Sequence, residues 1–277
     1  MTPAPIGRVR SIFWIGLFLS GVTAGLGACA LLQVQPVEVR PIAVADLKSG
    51  IDFSSRELRE QQDDPILNPG MLWVDQGQRA WKAPPGNGQP SCESCHGDAK
   101  DSMKGLAARL PRASADGKRL HNLHTLANRC RVDRQQLAAL DYESQSLLGL
   151  VSYLAYQSRG LSIDVDVGGA AKPFFEQGRN AYQERIGQIN LACTHCHDQN
   201  WGRRLLNEPI SQGHGNAYPI YRLEWQTAGS LHRRFRSCQF GVRAELFPQG
   251  HETFMALELY LAWRGQGLLI ESPGVRR

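Results

Sequence analysis

The sequence predicts a mostly α-helical protein built as two tandem copies of one small domain. Three observations predict it. A Cys-x-x-Cys-His motif occurs twice, at Cys92-Glu93-Ser94-Cys95-His96 and at Cys193-Thr194-His195-Cys196-His197. Similar segments precede the motifs, Asp75-Gln76-Gly77-Gln78-Arg79-Ala80-Trp81 and Glu176-Gln177-Gly178-Arg179-Asn180-Ala181-Tyr182, with 16 positions from Gln76 to Cys92 and from Gln177 to Cys193. Each motif is followed by a Leu-His pair, a lone cysteine and an apolar helical stretch. These are Leu123-His124, Cys130 and Tyr153-Leu154-Ala155-Tyr156, then Leu231-His232, Cys238 and Tyr260-Leu261-Ala262-Trp263.

The offset between the copies is 101 before the motifs and 107 to 108 after them, so the loop between motif and lone cysteine has grown by about seven residues in the second copy. A repeat near 100 residues exceeds the period of solenoid units, roughly 20–50 residues, and suits a duplicated domain.

In chain order, the first element is an export signal. Arg8 and Arg10 form a basic start, and Ser11 to Ala28 is uncharged and largely apolar. Residues 1–28 are therefore expected to be a signal peptide, with a retained membrane helix as the competing reading. Leu26-Gly27-Ala28-Cys29 also reads as a lipobox, which would put a lipid anchor on Cys29; Ala28-Cys29-Ala30 and Ala43-Val44-Ala45 fit ordinary cleavage instead. Residues 29–65 form an N-terminal lead-in, whose polar part from 46 is expected to wrap the first domain.

Residues 66–161 form the first domain. Apolar spacing predicts helices over 71–81 and 147–156, and Pro84-Pro85-Gly86-Asn87-Gly88 is a loop. Residues 162–173, with Gly168-Gly169, read as a linker. Residues 174–277 form the second domain, with helices over 174–182 and 254–263.

The Cys-x-x-Cys-His spacing puts two thiols on one face of a helical turn, where they add across the vinyl groups of a haem, and the following histidine ligates the iron from below. Cys92, Cys95, Cys193 and Cys196 are thus expected to attach two c-type haems, with His96 and His197 as proximal ligands. The fold class sharpens to two tandem cytochrome c-like haem domains related by internal duplication. A domain this small buries little core alone, and a haem supplies apolar surface. A zinc or redox Cys-x-x-Cys is the competing reading, but zinc sites want more Cys or His partners close by.

The chain has seven cysteines; setting aside Cys29 and the four of the motifs leaves Cys130 and Cys238. Unpaired thiols in an exported protein need a reason. One reason is the sixth ligand to iron. Met71, Met103 and Met255 have no equivalents in the other copy. The duplicated candidates are His124/His232 and Cys130/Cys238. A Cys130–Cys238 disulfide is a further alternative.

The surroundings of the two lone thiols differ. Leu231-His232-Arg233-Arg234-Phe235-Arg236-Ser237-Cys238 carries three arginines, whereas Leu123 to Cys130 carries one, Arg129. Nearby cations lower a thiol pKa, and guanidinium groups offer planar donor pairs to an oxyanion. The residues therefore point to a cysteine beside a haem in an anion-binding pocket. The formal net charge of +5 is too diffuse to name a partner, and export argues against nucleic acid.

The most specific stretch runs from Gly215-Asn216-Ala217-Tyr218-Pro219-Ile220-Tyr221-Arg222-Leu223 through Gly229-Ser230-Leu231-His232-Arg233-Arg234 to Cys238-Gln239-Phe240-Gly241-Val242-Arg243-Ala244-Glu245. With the two haem motifs it resembles the SoxA family, the larger subunits of the SoxAX cytochromes of thiosulfate oxidation. The resemblance covers most of the chain after the signal. It implies a periplasmic L-cysteine S-thiosulfotransferase that pairs with a monohaem cytochrome, SoxX. The pair couples thiosulfate to a cysteine of the carrier SoxYZ, and two electrons pass to a soluble cytochrome c. It also implies His/Cys ligation of both haems, by His96 with Cys130 and His197 with Cys238. Cys238 is implied to be catalytic and able to appear as a persulfide, and Arg234 a substrate contact; we add Arg236 as a second expected contact. Some family members lack the first haem motif, which is intact here.

Three other readings compete: a non-catalytic periplasmic dihaem electron carrier, a dihaem peroxidase with an open iron position, and a membrane-tethered assembly subunit.

Overall fold

The computed structural model describes residues 40–277. The expected signal peptide, the lipobox at Cys29 and the start of the lead-in lie outside the described residues.

Chain order gives α1 (Arg56–Asp63), α2 (Met71–Lys82), α3 (Cys92–His96), α4 (Ala99–Ser102), strands β1 (Arg112–Ala113) and β2 (Leu120–His121), then α5 (Leu123–Asp133) and α6 (Gln145–Tyr156). There follow α7 (Lys172–Gln183), α8 (Cys193–His197), β3 (Arg204–Leu205), β4 (Glu208–Pro209), β5 (Ile220–Arg222), β6 (Thr227–Gly229), α9 (Leu231–Gly241), α10 (Glu252–Arg264) and β7 (Gly274–Arg276). Helices dominate, as the apolar spacing predicts, and the four helices read from that spacing are α2, α6, α7 and α10.

Two helix pairs organise the core: α2 packs on α6, and α7 packs on α10. Both crossings are close because a glycine sits at each. A methyl group on Gly77 would lie 2.1 Å from the carbonyl oxygen of Gly149, and one on Gly178 would lie 2.1 Å from that of Ala256. Around the first crossing Val74, Trp81, Leu147, Val151 and Leu154 are buried; around the second, Phe175, Tyr182, Leu257, Tyr260 and Leu261 are. Each large side chain removed from water in this way contributes about 1.5–3 kcal/mol.

The helices that carry the lone cysteines start on side-chain caps. Asn122 Oδ1 accepts from Thr125 N–H at 3.1 Å to open α5, and Ser230 Oγ accepts from Arg233 N–H at 3.1 Å to open α9. Such a cap satisfies one of the orphan donors of the first turn. An antiparallel hairpin leads into each helix, β1–β2 before α5 and β5–β6 before α9. The hairpin β3–β4 stands in the stretch where the second copy is longer. The strands are two or three residues long, too short for period-two patterning to reveal them in the sequence.

The lead-in packs chiefly on residues 201–276 rather than on residues 66–161, which it meets through Arg159, a donor to the Gln62 carbonyl and to Asp63 at 3.2 Å each. Gln212 bridges Lys48 N–H and the Asp46 carbonyl at 2.8 Å each, Asn216 donates to Ser49 Oγ at 3.0 Å, and Val275 N–H donates to Gln62 Oε1 at 3.1 Å. Its polar side chains are used as hydrogen-bond partners for buried backbone, which composition alone does not reveal. The expected linker segment is also packed. Ile163 and Val165 are buried, Ile163 N–H donates to the Leu268 carbonyl at 2.9 Å, and α7 begins at Lys172. Among the described residues no helix is long and apolar enough to cross a membrane.

Candidate functional site

The first motif forms α3, a single helical turn opened by Ser91, whose Oγ accepts from Ser94 N–H at 3.0 Å. Trp81, at the end of α2, donates from its indole to the Gly97 carbonyl at 3.1 Å and lies 5.7 Å from the His96 ring. Cys130, on α5, faces the same place. Burial pushes the Cys92 thiol up, and Cys130 adds to the shift; burial likewise pushes Cys130 up, with Cys95 adding. Both effects disfavour a thiolate. His96 and Cys95 are exposed.

The second motif forms α8 in a more enclosed setting. His197 Nδ1–H donates to the Ser211 carbonyl at 2.7 Å, which turns Nε2, the nitrogen that carries the lone pair, toward Cys238 and makes it the atom able to ligate a metal. The chain after Ser211 passes so close that a methyl on Gly213, where φ is +78°, would meet the His197 ring at 2.8 Å. Behind the turn, Asp198 accepts from Tyr182 Oη–H at 2.9 Å and from Arg264, which is 2% exposed and also donates to the Gln212 carbonyl at 3.0 Å. The positions that match these around the first motif are Gly97, Trp81 and Gln157, so this buried ion pair stands at the second motif and not at the first.

Cys238 on α9 faces His197. Its side chain reaches the surface, yet protein crowds it from several elements. Burial pushes its thiol up, but a hydrogen bond with His197 and the charges of Arg234, His197 and Arg222 outweigh that and bring it down to about 7. Arg234 responds in kind: the Cys238 charge is the largest influence holding its pKa up. Among the described residues Arg234 forms no ion pair with a carboxylate, so its donors are available to an oxyanion.

Two of the three expected arginines do not face the thiol. Arg236 donates to the Phe247 carbonyl. Arg233 lies 4.3 Å over the ring of Trp225. The expectation that Arg236 is a second contact is therefore not supported by this geometry. The second cation acting on Cys238 is Arg222, on β5, which the sequence presents only as one residue of the signature stretch. Arg222 is 7% exposed, donates from Nε to Glu224 at 2.8 Å and lies 5.2 Å over Trp225 from the centroid. Tyr218 stands among the same groups, under the charges of Arg234, Arg222 and Cys238.

His124 and His232, the competing ligand pair, are used elsewhere. They stack on the ring of Tyr142 at 4.1 and 4.8 Å, and His232 Nε2–H donates to Glu258 at 3.1 Å. Cys130 and Cys238 are both free, so they form no disulfide.

The donor sets fit c-type haem. At each motif two thiols and a histidine share one helical turn, and a lone cysteine from another helix faces them. At the second, the histidine and the distal cysteine are within hydrogen-bonding reach of each other. Among the described residues no group of three or more His, Cys, Asp or Glu is placed to hold a bare metal ion.

Residues 76–163 match the SoxA/TsdA cytochrome c domain family, which implies covalently bound haem c. The chain is 38% identical to the L-cysteine S-thiosulfotransferase subunit SoxA of Pseudaminobacter salicylatoxidans, over 83% of this chain and 80% of that one. It is 35% identical to the SoxA subunit of Paracoccus pantotrophus, over 87% of this chain and 86% of that one. The fold matches the crystal structure of SoxXA from P. pantotrophus with a TM-score of 0.80 at 35% identity, over 83% of this chain and 87% of that one. Fold and sequence agree over most of the chain, and on that ground the protein belongs to the SoxA family of L-cysteine S-thiosulfotransferase subunits.

Proposed function

We propose that the protein acts in the periplasm with a SoxX-type cytochrome to join thiosulfate to the cysteine of a SoxYZ-type carrier. The reaction takes place at Cys238. The observation that carries this reading is the meeting of Cys238 with His197 and with Arg234, a cation that no carboxylate pairs among the described residues.

On this reading the chain is a duplicated cytochrome c-like unit holding two haems. Cys92, Cys95, His96 and Cys130 would hold one, and Cys193, Cys196, His197 and Cys238 would hold the other. Haem c, when bound there, supplies a one-electron redox centre beside the reacting sulfur.

The protein's own groups do the rest. Arg234 and Arg222 draw the thiosulfate dianion toward Cys238 and orient its sulfonate oxygens. Arg234 offers planar donors that match two oxygens at once. In the balanced reaction the carrier thiol loses one proton and a bond forms between its sulfur and the outer sulfur of thiosulfate. Two electrons leave, and they end on a soluble cytochrome c.

The test is reconstitution. The purified chain is mixed with its SoxX-type partner, the carrier, oxidised cytochrome c and thiosulfate. The expected result is a carrier whose mass rises by one thiosulfonate group, with two cytochrome c reduced per carrier. Haem reduction without carrier modification would favour the plain electron carrier. A mass spectrum of the mature chain counts the haems and shows any lipid on Cys29.

A further inference from the structure

The loop between α5 and α6 carries two adjacent residues that reach two different helices. Tyr142 Oη accepts from Asn122 Nδ2 at 2.7 Å, and Asn122 is the N-cap of α5. Glu143 accepts from Ser230, the N-cap of α9, through the Ser230 hydroxyl and through its backbone N–H at 3.3 and 3.4 Å. Each of these caps stands eight residues before a lone cysteine, Asn122 before Cys130 and Ser230 before Cys238. One dipeptide thus ties together the starts of both cysteine-bearing helices. Around it, Glu258 accepts from Asn122 at 2.7 Å and from His232 at 3.1 Å.

The contact at Ser230 is chemically matched. A serine hydroxyl has one hydrogen and two lone pairs. Its hydrogen goes to Glu143, and a lone pair accepts from Arg233 N–H at 3.1 Å. The carboxylate also lies at the positive end of α9, where negative charge is favoured. Arg234 N–H bonds to the Ser230 carbonyl at 3.4 Å, so the cap residue and the substrate arginine are consecutive links of one turn. A shift of the cap is passed directly to Arg234 and, along a rigid helix, to Cys238.

We propose that Glu143 is a positioning residue for the thiosulfotransferase reaction: by fixing the N-cap of α9 it sets where Arg234 and Cys238 stand, so that the segment bearing the first haem motif serves the second site through this contact. The proposal rests on the reading that the chemistry is at Cys238.

The test uses the assembled complex with carrier. In Glu143→Ala, the KM for thiosulfate rises about tenfold, as expected for loss of a charged hydrogen-bond acceptor, while kcat changes less. The electron paramagnetic resonance signal of the ferric haem ligated by Cys238 shifts, and that of the first haem does not. Glu143→Gln, which keeps an acceptor oxygen, restores most of the KM. Ser230→Ala breaks the contact from the other end and reproduces the effect, and the double variant Glu143→Ala/Ser230→Ala is no worse than the worse single variant. A Glu143→Ala protein that melts earlier but keeps its KM and its spectrum would overturn the proposal. Where that variant does not fold, an unchanged KM and spectrum in Ser230→Ala overturns it equally. Cys238→Ala, measured alongside, separates the two ideas: retained coupling there refutes the site, whereas the spectral shift in Glu143→Ala reports the positioning alone.

Discussion

His124 and His232 lie on opposite faces of the Tyr142 ring, with ring planes at 0° and 9° to it. Each histidine follows a leucine and stands six residues before a lone cysteine, so the stack joins matching positions of the two Leu-His segments. Burial holds His124 neutral, with its pKa down to about 3, and the charge of His232 adds to the effect. Its Nε2 is buried without a hydrogen-bond partner among the described residues.

The pH consequence follows from proton counting. An unfolded His124 titrates near 6.5, so below that pH the unfolded chain binds a proton that the folded chain refuses. Stability is therefore full above pH 6.5 and declines as the pH falls toward the folded value. The limiting slope for this one group is about 1.4 kcal/mol per pH unit. His124→Phe keeps a ring for the stack and removes the titration. Urea unfolding of wild type and variant at several pH values between about 4 and 7 is expected to show a shallower acid decline in His124→Phe; parallel curves would exclude the effect.

Arg234 and Arg236 should behave differently on substitution, although the sequence offers them as a pair. Arg234 acts on Cys238, whereas Arg236 is engaged by the Phe247 carbonyl. Arg234→Gln is expected to raise the thiosulfate KM by at least tenfold, the size of a lost charged hydrogen bond. Arg236→Gln is expected to change KM by no more than about threefold and to lower stability instead. Arg222→Gln is expected to fall nearer to Arg234→Gln. Steady-state kinetics on the three variants, with melting curves, checks the order.

What the sequence made legible follows from which features are local. The Cys-x-x-Cys-His turns, the helices with apolar spacing and the lone cysteines are all written in short stretches, and the turns and helices appear where the spacing put them. The place of Arg222 was not legible. It lies in a three-residue strand whose partners are β6 and β7, and β7 comes more than fifty residues later in the chain. The contact of Glu143 was likewise hidden, because its partner Ser230 is 87 positions away. Residues 46–65 looked like an appendage of the first copy because polarity says that a segment is solvated or hydrogen-bonded, never to what.

On the proposed reading, Cys238→Ala is expected to abolish coupling of thiosulfate to the carrier while the mass of the protein is unchanged in haem content, because attachment would use Cys193 and Cys196. Coupling at the normal rate would remove Cys238 from the reaction. The matching change Cys130→Ala is expected to leave coupling within about threefold of wild type. The distinction rests on setting: burial pushes Cys130 up, whereas the groups around Cys238 bring it down to about 7.

The two helix crossings make a stability prediction with a reversed sign. In an exposed helix, glycine to alanine stabilises by about 1 kcal/mol, since glycine loses more conformational freedom on folding. Gly77 and Gly178 sit mid-helix in α2 and α7, where that gain would ordinarily apply. Here a methyl would meet a backbone carbonyl at 2.1 Å in both cases. A carbonyl held in a facing helix cannot rotate away, so the pair must separate and the packing around Val74 and Leu147, or around Phe175 and Tyr260, must loosen. Gly77→Ala and Gly178→Ala are expected to destabilise by about 3 kcal/mol or more, in the range of overpacked cores. Gly149→Ala meets its nearest neighbour, the Trp73 carbonyl, at 3.3 Å and is expected to cost less. Gly241→Ala, at the end of α9, meets nothing within 4 Å and is expected to be neutral or slightly stabilising. Denaturant midpoints for the four variants test the ranking. If Gly77→Ala and Gly178→Ala prove as mild as Gly241→Ala, the close approach of the helix pairs is refuted; if only one is severe, the two crossings are not alike in the folded protein.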